Sequence, residues 1–184
     1  MRLFWKLYIF LTGWKTIGRF PIEIKKGVLL IAPHTSNWDL LTAVAFRSKE
    51  RIKAKYLGKK ELFRFPFGFI FRWLGGYPVD RGKTGNLVEA TVDIFNSKDQ
   101  FIIGIAPEGT RKKVKKLKTG FYHIAKKAGV PIIMAAFDYE KKAVIFAEPL
   151  YPTDDQKADF KVIHDFYKDV KGKNPELGLM DIGN

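Results

Sequence analysis

The chain has 184 residues, of which 46% are hydrophobic and 15% aromatic, so a disordered or collagen-like protein is excluded. Its formal net charge of +14 predicts an acidic partner, whether nucleic acid, anionic lipid, a phosphorylated substrate or an acidic protein. Cysteine is absent, so neither a disulfide nor a catalytic thiolate is available, and a cytoplasmic setting is favoured.

Residues 1–20 predict an amphipathic helix. On a helical projection the apolar residues from Leu3 to Phe20 share one broad arc, while Lys15 and Arg19 lie opposite. The charged interruptions argue against a signal peptide, and the longest uncharged run is too short to span a bilayer. Two interpretations stay equal: a helix that lies in a membrane interface and a helix that packs on the core.

Short apolar runs alternate with segments of helical spacing in residues 27–150. The predicted strands are GVLLIAPH, IKAKYL, GGYPVD, QFIIGIAP, VPIIMAAF and AVIFAEPL. The predicted helices are WDLLTAVAFRSK, TGNLVEATVDIFNS with a cap at Thr84 or Gly85, TGFYHIAKKAG closed by Gly129, and residues 154–170. This alternation predicts an α/β fold, a single mixed, largely parallel sheet covered by helices, in one domain of residues 1–184.

Four polar clusters fall at or just past the ends of predicted strands. They are His34 to Asp39, Asp80 with Arg81, Glu108 to Arg111, and Lys59 to Glu61. Ligands of α/β sheets tend to bind beyond the carboxyl ends of the strands, so the shared position carries more weight than any one cluster.

The first cluster places a histidine and an aspartate in one turn. If a helix starts near Ser36 or Asn37, Asp39 can accept one ring N–H of His34, which fixes the tautomer and leaves the other nitrogen free to take a proton. This is a catalytic triad without its nucleophile, so the base would activate a hydroxyl of the substrate. The alternative is a helix cap beside an ordinary surface histidine.

The second and third clusters predict an anion site. The guanidinium forks of Arg81 and Arg111 suit phosphate oxygens, and Gly109 would let backbone N–H groups approach an oxyanion. Glu108 would orient a guanidinium or bind a substrate hydroxyl. The alternative is a solvated turn with ordinary surface ion pairs.

Three further features complete the pattern. The three histidines show no metal-ligand spacing, so no metal is expected. The basic run at 111–118 is a solvated face or continues the anion site toward a bilayer or an acidic carrier protein. For the aromatic stretch LFRFPFGFIFRWL at 62–74, we rank a place in the core first, acyl-chain contact second and single-stranded nucleic acid last.

Four blocks in order resemble the glycerolipid acyltransferases of the lysophosphatidic-acid acyltransferase type. HTSNWD is similar to the family's His-X4-Asp motif, GGYPVDRG to its second motif, PEGTR to its third and VPIIMAAF to its fourth. The resemblance covers about residues 27–150, and four ordered motifs are far more specific than any one alone. It implies the glycerol-3-phosphate acyltransferase-like form of the α/β fold.

The resemblance also implies a reaction. His34 would be the general base, with Asp39 as its orienting partner, and would deprotonate a hydroxyl that attacks the thioester of acyl-CoA or an acyl carrier protein. The acceptor would be a lysophospholipid, in the first place 1-acylglycerol-3-phosphate. The residues expected to bind it are Lys60, Arg81, Glu108, Gly109, Thr110 and Arg111.

No cofactor is implied, the expected partners are an anionic membrane surface and the acyl donor, and no nucleic acid is expected. The protein would be peripheral or monotopic at the cytoplasmic face of the membrane. Two departures from the family pattern, Lys112 in place of Ser and Met134 in place of a second Pro, leave the acceptor open to a lyso-aminolipid or a sugar lipid. A basic membrane- or nucleic-acid-binding module without enzymatic activity is the alternative from another class, supported by charge alone.

Overall fold

Seven strands and six α-helices occupy the residues that the computed structural model describes, which are 2–73, 75–79, 87–114 and 116–178. In chain order they are α1 (Arg2–Thr12), β1 (Lys15–Ile17), β2 (Lys26–Ala32), α2 (Trp38–Lys49), β3 (Ala54–Lys59), α3 (Gly68–Trp73), β4 (Gly76–Val79), α4 (Leu87–Asn96), β5 (Phe101–Ile105), α5 (Gly120–Ala128), β6 (Ile132–Asp138), β7 (Ala143–Phe146) and α6 (Gln156–Tyr167). Two 3₁₀ turns lie at Lys60–Phe63 and Pro175–Leu177.

All seven strands form one sheet in the order β1-β7-β6-β2-β5-β3-β4. The five strands from β6 to β4 are parallel, β7 is antiparallel to β6, and β1 is parallel to β7. The predicted mixed, largely parallel sheet is therefore confirmed. Because the carboxyl ends of the five parallel strands share one edge, the loops after β2, β5 and β6 lie side by side.

Helices cover both faces of the sheet, which gives three layers. Along β2 the side chains alternate with the period of two that a strand imposes: Leu30 faces one layer and Leu29 the other. The first layer contains α4, α5 and α6, which contribute buried residues such as Ile163. The second layer contains α1 and α2, represented by Ile9 and Phe46.

The first helix is shorter than the sequence predicts. It ends at Thr12 because Gly13 adopts a φ of +72°, a left-handed conformation that closes helices, and the Trp14 N–H turns back to the Ile9 carbonyl at 3.1 Å. The chain then forms β1, whose first N–H, on Lys15, donates to the Lys142 carbonyl at 2.9 Å. The prediction of one helix through residue 20 is therefore wrong beyond residue 12.

Helix α1 is apolar on two faces. Its inner face packs on the core, where Ile9 is buried beneath the half-buried Trp5 and Tyr8. The outer face consists of exposed apolar side chains at helical spacing, namely Leu3, Phe4, Leu7, Phe10 and Leu11. Packing on the core is confirmed, but it uses only one of the two faces, and the second face is left to water or a partner.

The prediction that the aromatic stretch at 62–74 lies in the core is wrong for most of its described residues. Among its described residues Phe63 is buried, whereas Phe65 is 97% exposed. The ring of Phe63 fills the space over Gly58 and Gly76, where an added Cβ would lie 2.7 Å from it. Phe71 is half-buried and lies 6.0 Å from the Phe63 ring, measured between centroids. Five further large apolar side chains are exposed, namely Leu62, Phe67, Phe69, Ile70 and Trp73.

The remaining predicted helices are present with adjusted ends. Helix α2 has the predicted bounds, and α5 closes at Gly129 with a φ of +62°. Helix α6 begins at Gln156 because Asp155 caps it by accepting the Ala158 N–H at 3.0 Å, and it ends at Tyr167, so it is shorter at both ends than the predicted 154–170. The predicted cap at 84–85 lies outside the described residues. Within the described part of the chain, no helix is both long enough and apolar enough to cross a bilayer.

The packing of the turn after β1 against β7, at the edge of the sheet, can be tested by substitution. Gly18 has a φ of +74°, and an added Cβ would lie 2.4 Å from the Phe146 carbonyl oxygen. We expect Gly18→Ala to lower the free energy of unfolding by at least about 1 kcal/mol, because the methyl group is strained and must displace β7.

The matched control is Gly120→Ala, where nothing lies within 4 Å of the added Cβ. We expect that variant to keep the wild-type stability or gain up to about 1 kcal/mol. Urea unfolding followed by circular dichroism measures both. Equal effects at the two positions would contradict the described packing of Gly18 against β7.

Candidate active site

The loops after three neighbouring strands build the site. His34 follows β2 at the centre of the sheet, Glu108 follows β5 on one side, and Tyr139 follows β6 on the other. Asp39 lies in the first turn of α2, which covers this edge. The strand order thus brings together residues that are about 100 positions apart in sequence.

Asp39 accepts four hydrogen bonds although only 2% of it is exposed. Its Oδ2 accepts the backbone N–H groups of Thr35 and Ser36, both at 2.9 Å, and lies 3.0 Å from His34 Nδ1. Its Oδ1 accepts the Tyr139 hydroxyl at 2.8 Å. This number of donors stabilises the ionised carboxylate in a buried position.

The same contacts define the state of His34. Burial, together with the bond to Asp39, raises the pKa of Tyr139 well above its usual value, so its hydroxyl stays protonated and donates. The ionised Asp39 can only accept, so the Nδ1 of His34 carries the proton that it donates. Nε2 is then left free to accept a proton from another molecule.

The HTSNWD segment folds around Asp39. Its carboxylate accepts the backbone N–H groups of Thr35 and Ser36, which precede the helix, and the same carboxylate binds the ring of His34. The Ser36 hydroxyl accepts the Trp38 N–H at 3.2 Å, while Asn37 makes no side-chain cap bond. These bonds hold the turn and the imidazole in one arrangement.

Glu108 binds the backbone of His34. It is 3% exposed, and its Oε1 accepts the backbone N–H of His34 at 2.7 Å. Its Oε2 is buried without a hydrogen-bond partner among the described residues. Burial raises the pKa of Glu108, opposed in part by the His34 N–H. The carboxyl group therefore joins the β5 loop to the His34 loop.

The rest of the PEGTR segment lies at the surface beside this pair. Arg111 is exposed and donates to the side-chain oxygen of Asn37, which ties the β5 loop to the start of α2. Gly109 has a φ of +63°, its N–H donates to the Ala106 carbonyl at 3.1 Å, and the side chain of Lys118 covers it. The half-buried Thr110 accepts the backbone N–H of Lys112 at 3.3 Å.

The other two predicted residues come from strands farther along the sheet. Lys60 starts the 3₁₀ turn after β3 and is exposed. It is not among the residues that line the cavity beside His34. Arg81 lies outside the described residues, and so does Asp80. The structure therefore brings together His34, Asp39, Glu108 and Arg111, with Gly109 and Thr110 in the same loop.

An apolar cavity of about 610 Å³ opens beside His34. It runs between α2 and the sheet, with Asn37 and Arg111 at the end that carries His34. Its walls are mostly aliphatic and aromatic, including Leu29, Ile31, Leu40, Ala43, Val44, Phe46, Ile52, Ala135, Phe137 and Phe146. This volume and lining are typical of sites that enclose an apolar ligand.

Two partners of the site carry no motif in the sequence. Tyr139, which binds Asp39, follows β6. It lies near the loop after β2 only because β6 and β2 are neighbours in the sheet. Asn174 binds the Thr35 carbonyl through its side chain at 2.9 Å and the Thr35 hydroxyl through its backbone N–H at 3.2 Å. The position of Tyr139 just past a strand end was the one available signal.

Glu108 generates a pH-dependent prediction. Because its pKa is raised on folding, the folded chain holds the proton to higher pH than the unfolded chain. The stability from this proton is present below the unfolded pKa and is lost as pH rises through the raised folded pKa.

Glu108→Gln has nearly the same shape but no titration. We therefore expect the unfolding free energy of the wild type, relative to this variant, to fall as pH rises from about 4 to about 7. Urea unfolding of both proteins across this range measures the difference. A difference that is constant, or that grows with pH, would contradict the burial of this carboxyl group.

Known proteins share this sequence pattern and this fold. The Acyltransferase family model matches residues 14–138. The 1-acyl-sn-glycerol-3-phosphate acyltransferase of Salmonella typhimurium is 34% identical over 67% of this chain and 52% of its own length. That of Haemophilus influenzae is 34% identical over 72% and 57%. The chain thus spans about half the length of these curated relatives.

A solved structure agrees with the fold. The crystal structure of the 1-acyl-sn-glycerophosphate (LPA) acyltransferase PlsC from Thermotoga maritima superposes with a TM-score of 0.58. The superposition covers 90% of this chain and 74% of that one, at 18% sequence identity. At that identity the likeness concerns the fold, while the family follows from the matched sequence. The protein belongs to the acyltransferase family.

Proposed function

We propose that the protein is an O-acyltransferase that moves a fatty acyl group from a thioester to the hydroxyl of a lysophospholipid, in the first place 1-acylglycerol-3-phosphate. The observation that carries the proposal is the His34–Asp39 pair, with Nδ1 bound to Asp39 and His34 in the lining of an apolar cavity. The relatives named above, which act on this acceptor by their names, support the choice.

The reaction is a direct transfer. Nε2 of His34 takes the proton of the acceptor hydroxyl while its oxygen bonds to the carbonyl carbon of the thioester. The C–S bond then breaks, and the departing sulfur takes the proton from His34, so the products are an ester and a free thiol. Asp39 stabilises the imidazolium that forms between the two steps. Neither a metal nor a cofactor is needed.

The positions of the charged groups suggest how the acceptor is held. Arg111 lies at the cavity end near His34, and its guanidinium fork suits the phosphate of the acceptor. Arg81, Gly109, Thr110 and Lys60 are proposed to complete this anion site. Glu108 is not assigned to the acceptor, because its carboxyl group is buried and one oxygen accepts the backbone N–H of His34. We assign it to the positioning of His34.

His34→Ala tests this mechanism. Without a base we expect kcat to fall at least about 100-fold, while the far-ultraviolet circular dichroism stays unchanged. The measurement is thiol release from acyl-CoA with lysophosphatidate as acceptor. The matched control is His164→Ala, since His164 lies on α6 against the opposite face of the sheet and should leave turnover unaffected. Normal turnover of the His34 variant would overturn the mechanism.

We also propose that the protein works at an anionic membrane surface, on the cytoplasmic face. The outer face of α1 presents five exposed apolar side chains, and Phe10 is 79% exposed. Residues 62–73 present a second group of exposed aromatic side chains, with the exposed Arg64 and Arg72 among them. Aromatic and basic side chains together are typical of segments that lie in a membrane interface.

Substitution of Leu7 and Phe10 by serine tests the membrane contact. Each buried apolar side chain contributes about 1.5–3 kcal/mol to partition, so we expect binding to phosphatidylglycerol vesicles to weaken at least about tenfold. Vesicle co-sedimentation measures it. Removing residues 1–20 is a poorer test, because the deletion also takes away β1 and the buried Phe20.

The control for this test is Val162→Ser. Val162 is an exposed apolar residue of α6, on the far side of the sheet from α1. We expect this substitution to leave vesicle binding at the wild-type level. If the α1 variant also binds as the wild type does, the outer face of α1 is not the membrane contact.

A further inference from the structure

A second cavity, of about 550 Å³, lies behind Tyr139. We refer to it as the lysine cavity. It is open to solvent and lies between the end of α1, the start of α2, the β6–β7 turn and the residues after α6. Its lining residues are Tyr8, Leu11, Thr12, Trp14, Trp38, Thr42, Tyr139, Glu140, Lys142, Lys171, Gly172, Lys173 and Pro175.

The lysine cavity carries a positive charge. Three lysines and one glutamate line it, and that glutamate, Glu140, pairs with Lys171 at 2.6 Å. Among the described residues, no carboxylate pairs with Lys142 or Lys173, and the Lys173 ammonium lies 5.8 Å from the ring centre of Tyr139. Two lysines that no carboxylate of the described residues neutralises, beside aromatic walls, favour an anionic ligand that also has apolar parts.

The lysine cavity adjoins the turn that carries His34. Tyr139, in its wall, binds Asp39, and Gly172 packs against the side chain of Thr35. It lies on the β6 side of this turn, whereas Arg111 lies on the β5 side. His34 lines the apolar cavity together with Arg111, and the Asp39–Tyr139 bond connects it to the wall of the lysine cavity.

We propose that the lysine cavity binds the phosphate of the 4′-phosphopantetheine arm of the acyl donor. This inference rests on the proposed function. A thioester at His34 has three groups to place: the acyl chain, the incoming alcohol and the departing thiol with its arm. The apolar cavity suits the chain and the Arg111 side suits the alcohol's phosphate, so the lysine cavity, which adjoins the turn that carries His34, receives the arm.

The chemistry of the arm fits this lining. Its phosphate is an anion for Lys142 and Lys173, and its amide and methyl groups suit the flat rings of Trp14, Trp38 and Tyr8. Acyl-CoA and an acylated carrier protein share this arm, so one site serves either donor. The site sets donor affinity and takes no part in bond making or breaking.

The test compares two donors that differ by one phosphate, S-palmitoyl-4′-phosphopantetheine and S-palmitoyl-pantetheine. For the double variant Lys142→Ala/Lys173→Ala we expect KM for the phosphorylated donor to rise about tenfold or more, as the loss of charged hydrogen bonds implies. We expect kcat, KM for the donor without phosphate and KM for lysophosphatidate to stay within about twofold. Palmitoyl-CoA and a palmitoylated carrier protein should show the same rise, because both carry the phosphate.

The matched control removes two positive charges elsewhere. Lys161→Ala/Lys168→Ala changes the net charge equally on α6 and just after it, across the sheet from the lysine cavity. It should leave every KM at its wild-type value. An equal rise in the control would show a general effect of charge, and a rise in KM for lysophosphatidate would assign the cavity to the acceptor; either result overturns the proposal.

A binding measurement separates this inference from the proposed function. Isothermal titration with 4′-phosphopantetheine and with pantetheine needs no turnover. We expect the wild type to bind the phosphorylated compound at least about tenfold more tightly and the double variant to bind both alike. Equal binding by the wild type overturns the inference even if acyl transfer occurs, whereas a lack of transfer with selective binding counts against the proposed function alone.

Discussion

The buried carboxylate of Asp39 is the constraint around which the site is built. A charge removed from water is costly unless hydrogen bonds replace its hydration, and here two backbone N–H groups, an imidazole and a phenol do so. Those donors come from the β2 loop, from His34 and from the residue after β6. Satisfying one charge therefore requires that β2, β6 and the start of α2 be in register.

This requirement also explains why the site tolerates little freedom. His34 is bound on two sides, through its ring by Asp39 and through its backbone by Glu108 from the β5 loop. Asn174, from the segment after α6, closes the same turn from outside through Thr35. Under the proposed function this fixed geometry helps the base, because the imidazole is oriented before the substrate arrives.

The sequence alone predicted the His34–Asp39 pair and much of the sheet. His34 and Asp39 were recognisable because both lie near a strand end and a helix start, and α2 had clear helical spacing. Tyr139 was not recognisable, since its bond to Asp39 spans 100 residues and depends on the order of strands. Strand β1 has three residues and is too short to show the alternation of apolar and polar residues that identifies a strand.

The errors in the fold have a common physical origin. Hydrophobic periodicity says which residues share a face but not whether that face meets the core, so Phe63 and Phe65 look alike in sequence although one is buried and the other is exposed. In the same way α1 is apolar on both sides, and its end at Thr12 is decided by a single left-handed Gly13.

The two-faced α1 has a consequence for how the protein behaves once it is purified. Its inner face is part of the core, so removal of the helix to improve solubility would take Ile9 out of the core cluster and uncover the apolar residues packed with it. Its outer face then stays in water, where five apolar side chains favour contact with any apolar surface, including the same helix of another copy. Mild detergent should therefore reduce self-association in plain buffer. A molecular mass measured without detergent reports the association of this helix with the same helix of other copies.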